Sequence, residues 1–346
     1  YTIRGIEGND RFLVLIDGQK INPASGTFIS IGNSLSLHFV KKVEIIFGPA
    51  SAVYGADAFS GIINIVSRGN KMNSQLSLQA EIGSENRISG SIFYQGMIGS
   101  EFSMTGMARI FNSDGPDFTN RGYPEYDMIL NRYEPPLNPL FEQPTKDHTL
   151  FLKFNYRNLT FSFFRQYFNE GNSLVMSPQF YVFNRAAKWA MESNYLRMVY
   201  DKSLNNGILT IDFSIISHLQ NPETQFFKWK VVGQPKETFS QYMTGTDLTF
   251  RGIFSYSKKI SGKLQFIAGI EYENTNSVPP YANDEVLGNS YQYAGGNIDL
   301  IKKNLTIEEN RFAGFGQFIL SVSKQLDLVV GGRYDHSSRY KGTFNQ

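Results

Sequence analysis

The sequence predicts an all-β protein, an antiparallel transmembrane β-barrel wall of about eleven strands, partial, joined to a small mixed α/β domain. Three observations predict it. From about Ser74 onward apolar and polar residues alternate with period two, segment after segment. The links between those segments are alternately long and short. Aromatic residues make up 14% of the chain, with 29 Phe and 19 Tyr, yet mean hydropathy is only −0.28. A barrel reconciles the last pair of facts, because only every second residue of a barrel strand meets lipid.

The first domain, residues 1–70, reads as short strands broken by Gly and Pro. Phe12 to Ile16 and Gln19 to Ile21 flank Asp17-Gly18, a pair that tolerates positive φ at both positions and so favours a type I′ hairpin. Val43 to Phe47 is a second strand and ends at Gly48-Pro49. Gly48 lets the chain leave that strand, and Pro49 presets φ for a helical turn over Ala50 to Tyr54. Gly55 can close the turn in the left-handed conformation. Gly61 then opens the strand Ile62 to Val66, expected to be buried on both faces.

Residues 71–346 form the wall. Leu76, Leu78, Ala80 and Ile82 share one face, opposite Ser77, Gln79 and Glu81, and the pattern recurs around Leu152, Phe213, Phe266 and Val330. Long links run from Asn112 to Lys146, Glu170 to Trp189, Gln220 to Phe239 and Thr275 to Glu309. Tight ones lie at Arg157-Asn158, Lys202 to Asn206, Ser257 to Lys263 and Lys324-Gln325. Outer-membrane barrels have this asymmetry, with short periplasmic turns and long extracellular loops. A soluble β-sandwich, the other home of alternating strands, has no reason to gather its long links at one end. Arg109, Lys153, Arg197, Asp212, Asp247, Arg251, Glu271 and Arg333 fall on the polar faces and are expected to line the lumen. Facing lipid at mid-height, each basic one would cost ~2–4 kcal/mol.

The residues of chemistry exclude more than they assert. With 33 basic and 31 acidic residues the net charge is +2, which gives no support for nucleic acid as a partner. The absence of cysteine removes disulfides and thiolate metal sites. His38, His148, His218 and His336 show no metal-ligand spacing, and no nucleophile elbow, phosphate loop or HExxH occurs. Neither metal, cofactor nor catalytic group is expected, and the chain does not read as an enzyme.

Two stretches carry a family resemblance: VKKVEIIFGPASAVYGADAFSGIINIVSRG, from Val40 to Gly69, and FLVLIDGQKIN, from Phe12 to Asn22. They resemble the second half of the plug domain of TonB-dependent outer-membrane receptors. Asp17, Gly18, Gly48, Pro49, Tyr54, Gly55, Gly61 and Asn64 are the residues that match its punctuation. Phe47, where Arg is common, and Ser60, where Gly is frequent, depart from it. Gly48-Pro49 sets the sequence apart from the oligosaccharide-importing variant and beside the siderophore and vitamin B12 class.

The resemblance implies a plug about twice as long and a barrel of about 22 strands, of which this chain would hold the second half of the one and the first half of the other, as an open, curved half-barrel. It implies a place in the outer membrane among lipid, TonB and its proton-motive partners, and a small-molecule chelate as ligand. A ferric siderophore is the first expectation; cobalamin is the alternative, and a passive porin or adhesin barrel stands outside the family. The loop Asn22 to Ser34 should point outward, offering Ser25, Thr27, Phe28, Ser30 and Asn33 to the ligand. Tyr126, Tyr181, Trp189, Trp229 and Tyr291, in the long links, could stack on a flat chelate. Equally, they could form the aromatic girdle or hold the loops together.

Overall fold

In the computed structural model the structure describes residues 2–3, 6–7, 13–26, 29, 32–47, 61–69, 74–115, 125–127, 132–134, 143–171, 186–221, 223–229, 238–284, 306–323, 326–340 and 342–345. A two-residue pair, β1 (Thr2–Ile3) and β2 (Ile6–Glu7), comes first. Then β3 (Leu13–Ile16), β4 (Gln19–Lys20), β5 (Val40–Phe47) and β6 (Gly61–Ser67) form a four-stranded sheet in the order β4-β3-β6-β5. β3 and β6 run parallel and the other pairs antiparallel, so the sheet is mixed. Asp17 (φ 50°) and Gly18 (φ 83°) make the hairpin turn with both residues left-handed, as the Asp-Gly pair predicts. β6 sits between β3 and β5; Ile62 and Ile65 are buried, while Ile63, Asn64 and Val66 are only partly covered. The expected helical turn, with Gly48, Pro49, Tyr54 and Gly55, lies outside the described residues, among which every element is a strand.

The wall is one sheet. It contains β7 (Gln75–Gly83), β8 (Arg87–Ile98) and β9 (Phe102–Ser113). A separate small hairpin, β10 (Glu125–Asp127) with β11 (Arg132–Glu134), lies within the next link. The wall resumes with β12 (Thr145–Tyr156), β13 (Leu159–Gly171), β14 (Lys188–Leu204) and β15 (Gly207–Gln220). It ends with β16 (Gln225–Trp229), β17 (Thr238–Lys259), β18 (Leu264–Asp284), β19 (Ile307–Ser321), β20 (Asp327–Ser337) and β21 (Thr343–Asn345). Every pairing is antiparallel and joins successive strands of the wall, with β9 pairing β12 across the separate hairpin and β15 pairing β17. The short β16 pairs β14 and β17 beside the main path. Setting aside β16 and β21, eleven long strands remain. The sheet is open: β7 and β21 are its two edges.

Register shows what each face is for. One cross-strand row reads Phe154, Phe161, Met198, Phe213, Gly252, Tyr272, Phe312, and Met198, Phe213, Tyr272 and Phe312 in it are exposed. The row one residue along, on the other face, reads Lys153, Ser162, Arg197, Ser214, Arg251, Glu273, Arg311, Ser337. The oily side therefore faces out and the charged side faces the first domain, the reverse of a soluble core. All eight charges expected in the lumen lie on that inner side. They pair there with one another or with the first domain: Arg251 with Glu271 at 2.7 Å, Arg333 with Glu271 at 3.0 Å, and Arg197 with Asp212 at 2.6 Å.

One strand runs well beyond the alternation of apolar residues. β18 continues to Asp284, not to the neighbourhood of Thr275, whereas β17 begins at Thr238, where the long link from Gln220 is expected to end. The cause is visible on the outer face, where Ile270 and Tyr272 give way to Asn274 and Asn276 while the pairing with β17 continues. The ladder with β17 therefore persists past the point where the outward apolar signature stops.

Candidate functional site: the loop from Asn22 to Ser34 and the seam between the two sheets

The core lies at the seam between the two sheets. Val14, Ile16, Ile21, Ile29, Leu35, Phe39 and Ile65 of the first domain pack with Phe93, Met107, Phe151, Phe164, Tyr195 and Ile216 of the wall. Contacts reach from β8, where Ser91 meets His38 at 3.0 Å, to β17, where Asp247 meets Ser25. A globule touching strands so far apart in the sheet is cradled by a curved wall.

The hairpin residues converge on one point of this seam. Gly18 N–H donates to Asn64 Oδ1 (3.1 Å), and Asn64 Nδ2 donates to Glu44 Oε2 (2.9 Å), which ties β3, β6 and β5 together. The Asp17 carboxylate accepts from Ser67 N (2.8 Å), from Ser67 Oγ (2.6 Å) and from Lys153 Nζ of β12 (2.8 Å). Arg197 of β14, itself held by Asp212, donates to the Asp17 carbonyl. Asp17, Gly18 and Asn64 are thus a junction between the first domain and the wall as well as turn residues. Their type and spacing made the turn legible, whereas Lys153 and Arg197 join them only through the fold.

Burial pushes the Asp17 carboxyl up, but the Lys153 ammonium and the two Ser67 bonds more than offset that and hold it below the ordinary carboxylate value. A depressed folded-state pKa stabilises above the unfolded value and is lost as pH falls through the lowered one. Docking of the first domain should therefore be insensitive to pH from neutrality down to roughly pH 4 and weaken below it. In Asp17→Asn that acid-induced weakening should shrink. Limited proteolysis between pH 7 and pH 2 reads this out, and an unchanged acid profile in the variant would show that Asp17 is not the responsible group.

The loop from Asn22 to Ser34 is stapled to the inner wall at both ends. Tyr195 OH donates to the Ile21 carbonyl (3.0 Å), and Ser25 donates through N (3.3 Å) and Oγ (2.9 Å) to Asp247 Oδ2. At the far end Arg109 donates to the Asn33 carbonyl, Thr149 Oγ1 to the Ser34 carbonyl (2.6 Å), and Gln166 Nε2 to Ser34 Oγ (2.8 Å). Under the first staple lies a cavity of ≈ 10 Å³ among Pro23, Ile29, Gln166, Ser193, Tyr195 and His218, the size of a single water rather than of a chelate.

Of the loop residues expected to face ligand, Ser25 is committed to the wall, and Asn33 is exposed while its carbonyl is held. Thr27, Phe28 and Ser30 lie outside the described residues. Among the aromatics, Tyr126 is in β10, paired with Tyr133, and Trp229 ends β16; Tyr181 and Tyr291 lie outside the described residues. Trp189 is a strand residue of β14 on the inward parity of Ser193 and Tyr195, edge-on to Phe226 at 5.5 Å. Among the described residues no group of three or more His, Asp or Glu is arranged to hold a metal.

Residues 1–62 match the family model described as TonB-dependent Receptor Plug Domain. The vitamin B12 transporter BtuB of Vibrio vulnificus (strain CMCP6) is 36% identical over 83 residues, 24% of this chain and 13% of that protein. In fold, the chain is similar to the pyoverdine outer-membrane receptor FpvA of Pseudomonas aeruginosa, with a TM-score of 0.64 and 13% identity, over 100% of this chain and 52% of that one. The siderophore receptor PirA of Acinetobacter baumannii gives a TM-score of 0.60 and 16% identity, covering 97% of this chain and 50% of that one. The chain thus spans about half the length of these solved receptors. Residues 1–62 thus match the plug domain of TonB-dependent receptors, and the fold of the chain, a small sheet seated against a wall with its oily side outward, is that of outer-membrane receptors.

Proposed function

We propose that this chain takes part in capturing a scarce chelate outside the cell, a ferric siderophore first, and in importing it by a movement of the plug driven through TonB. In this reading residues 1–70 are the second half of the plug and residues 71–346 the first half of the barrel. The observation that carries it is the seam: a globule packed into the lumen side of the wall and fastened by a small set of polar contacts is a gate, which a passive pore does not need. Such a gate has to be moved, and the outer membrane has neither ATP nor a useful ion gradient to move it. A ligand biases the plug only by its differential affinity for the closed and moved states, so the loop nearest the outside is where that difference should arise.

Cobalamin is the second reading, favoured by the identity to a vitamin B12 transporter. That identity carries little weight for the substrate if it falls on the plug's turn motifs. Growth of a strain lacking the receptor, limited for iron in one arm and for vitamin B12 in the other, separates the two. Loss of growth under iron limitation supports a siderophore, and loss under vitamin limitation supports cobalamin. In planar bilayers the receptor should be nearly silent; a large steady conductance would defeat the gated reading altogether.

A further inference from the structure

One staple of the outward loop differs from the rest. Those made by Tyr195, Thr149 and Arg109 end on backbone carbonyls, and the one made by Gln166 ends on a hydroxyl. Ser25 instead gives both its backbone N–H and its hydroxyl to one oxygen of a carboxylate, Asp247, which is 1% exposed. The other oxygen of Asp247 has no hydrogen-bond partner among the described residues. Directly across the sheet, in register on β15, stands His218, 2% exposed, whose Nε2 is likewise unpartnered. Its Nδ1 lies 2.8 Å from Ser193 Oγ and 3.5 Å from Tyr195 OH, the hydroxyl that holds Ile21.

The geometry amounts to two buried polar branches that face each other across the sheet. One runs from the loop at Ile21 through Tyr195 to His218, and the other from the loop at Ser25 to Asp247. His218 and Asp247 are cross-strand partners in register, and Nε2 of the one and the second carboxylate oxygen of the other are both left without a hydrogen bond among the described residues. A buried carboxylate short of donors is costly, so Asp247 holds Ser25 more firmly than a neutral acceptor would. The other ionisable groups near the pair are Lys20 of β4 and Tyr195 of β14.

We propose that Asp247 is a positioning residue for the ligand-facing loop, fixing the pose of residues 21–26, and that His218 is its supporting partner. This rests on the reading of that loop as the outward, ligand-facing part of the plug. Because Ser25 supplies two of the donors Asp247 uses, the loop cannot lift at this end without leaving a buried acid underbonded. The staple is therefore a threshold that a bound ligand must offset.

Hydrogen–deuterium exchange on the detergent-solubilised receptor tests this without knowledge of the ligand. Ser25→Ala and Asp247→Ala should each speed exchange of the amides of 21–26 by about tenfold, the scale of one charge-assisted bond. The double variant should add little to either single one. Ser25→Thr, which keeps the hydroxyl, should restore slow exchange, and His218→Phe should loosen the same amides. Amides of β6 should stay unchanged in all, which separates a loosened loop from a loosened fold. Additive effects, failure of Ser25→Thr to rescue, or unchanged exchange in Ser25→Ala would each overturn the assignment. None of those outcomes touches the uptake assay, and a receptor that imports no chelate would leave the exchange result standing.

Discussion

Phe39→Ala should destabilise the folded chain by ~3–5 kcal/mol, the cost of removing a fully buried aromatic ring that its surroundings cannot refill. Phe39 is 0% exposed and stacks on Phe151 of β12 with ring centroids 4.3 Å apart; Phe164 of β13 lies 5.8 Å away, tilted. It belongs to the first domain, yet its neighbours are wall residues, so the lost contacts are those that seat the plug. Aromatic pairs contribute about 0.5–1.5 kcal/mol beyond the area they bury, which places this site toward the upper part of the range. Two residues earlier, Leu37 is 62% exposed, and Leu37→Ala should change stability by less than about 0.5 kcal/mol. Chemical unfolding in detergent, followed by the fluorescence of a label attached to the plug and by proteolysis, gives both values. Equal, small losses in the two variants would mean that the seam is a loose contact, and the gate reading would lose its structural basis.

How much of this was legible beforehand depends on which force left a pattern. The wall was readable because lipid on one side and a polar lumen on the other impose period two, so Phe213 and Ser214 declare their faces by chemistry alone. The hairpin was readable because Asp17 and Gly18 satisfy a local backbone demand. The seam was not readable in the same way. Lys153 and Arg197 could be assigned to the lumen, but their convergence on Asp17 depends on how a parallel β3–β6 pair is set into a curved sheet, and no local pattern encodes that. Asp247 and Ser25, 222 positions apart, illustrate the same limit. Ser25 looked like a ligand-facing polar residue because a wall partner and a ligand demand the same side chain. Likewise Trp189 read as part of a link because residues around it lack alternation, although the chain has already rejoined the ladder at Lys188.

The position of the membrane can be tested with one chain and two arginines. Phe213 lies midway along the outward residues Leu209, Ile211, Phe213, Ile215 and Ser217 of β15, and is 40% exposed on the face that carries Met198 and Gly252 beside it. Leu204, also outward-facing, lies at the end of β14 beside the tight Asn205-Asn206 turn, where both residues have positive φ. If that face contacts hydrocarbon, Phe213→Arg should cost ~2–4 kcal/mol in lipid vesicles, while Leu204→Arg, at the interface, should cost only ~0–1 kcal/mol. If the face met water, both substitutions would be nearly neutral, since an exposed site away from the core tolerates change within about 0.5 kcal/mol. A soluble core facing that way predicts something else again, because Phe213→Arg would then bury a charge and prevent folding in any medium. The ratio of the two costs therefore identifies the solvent on the oily side.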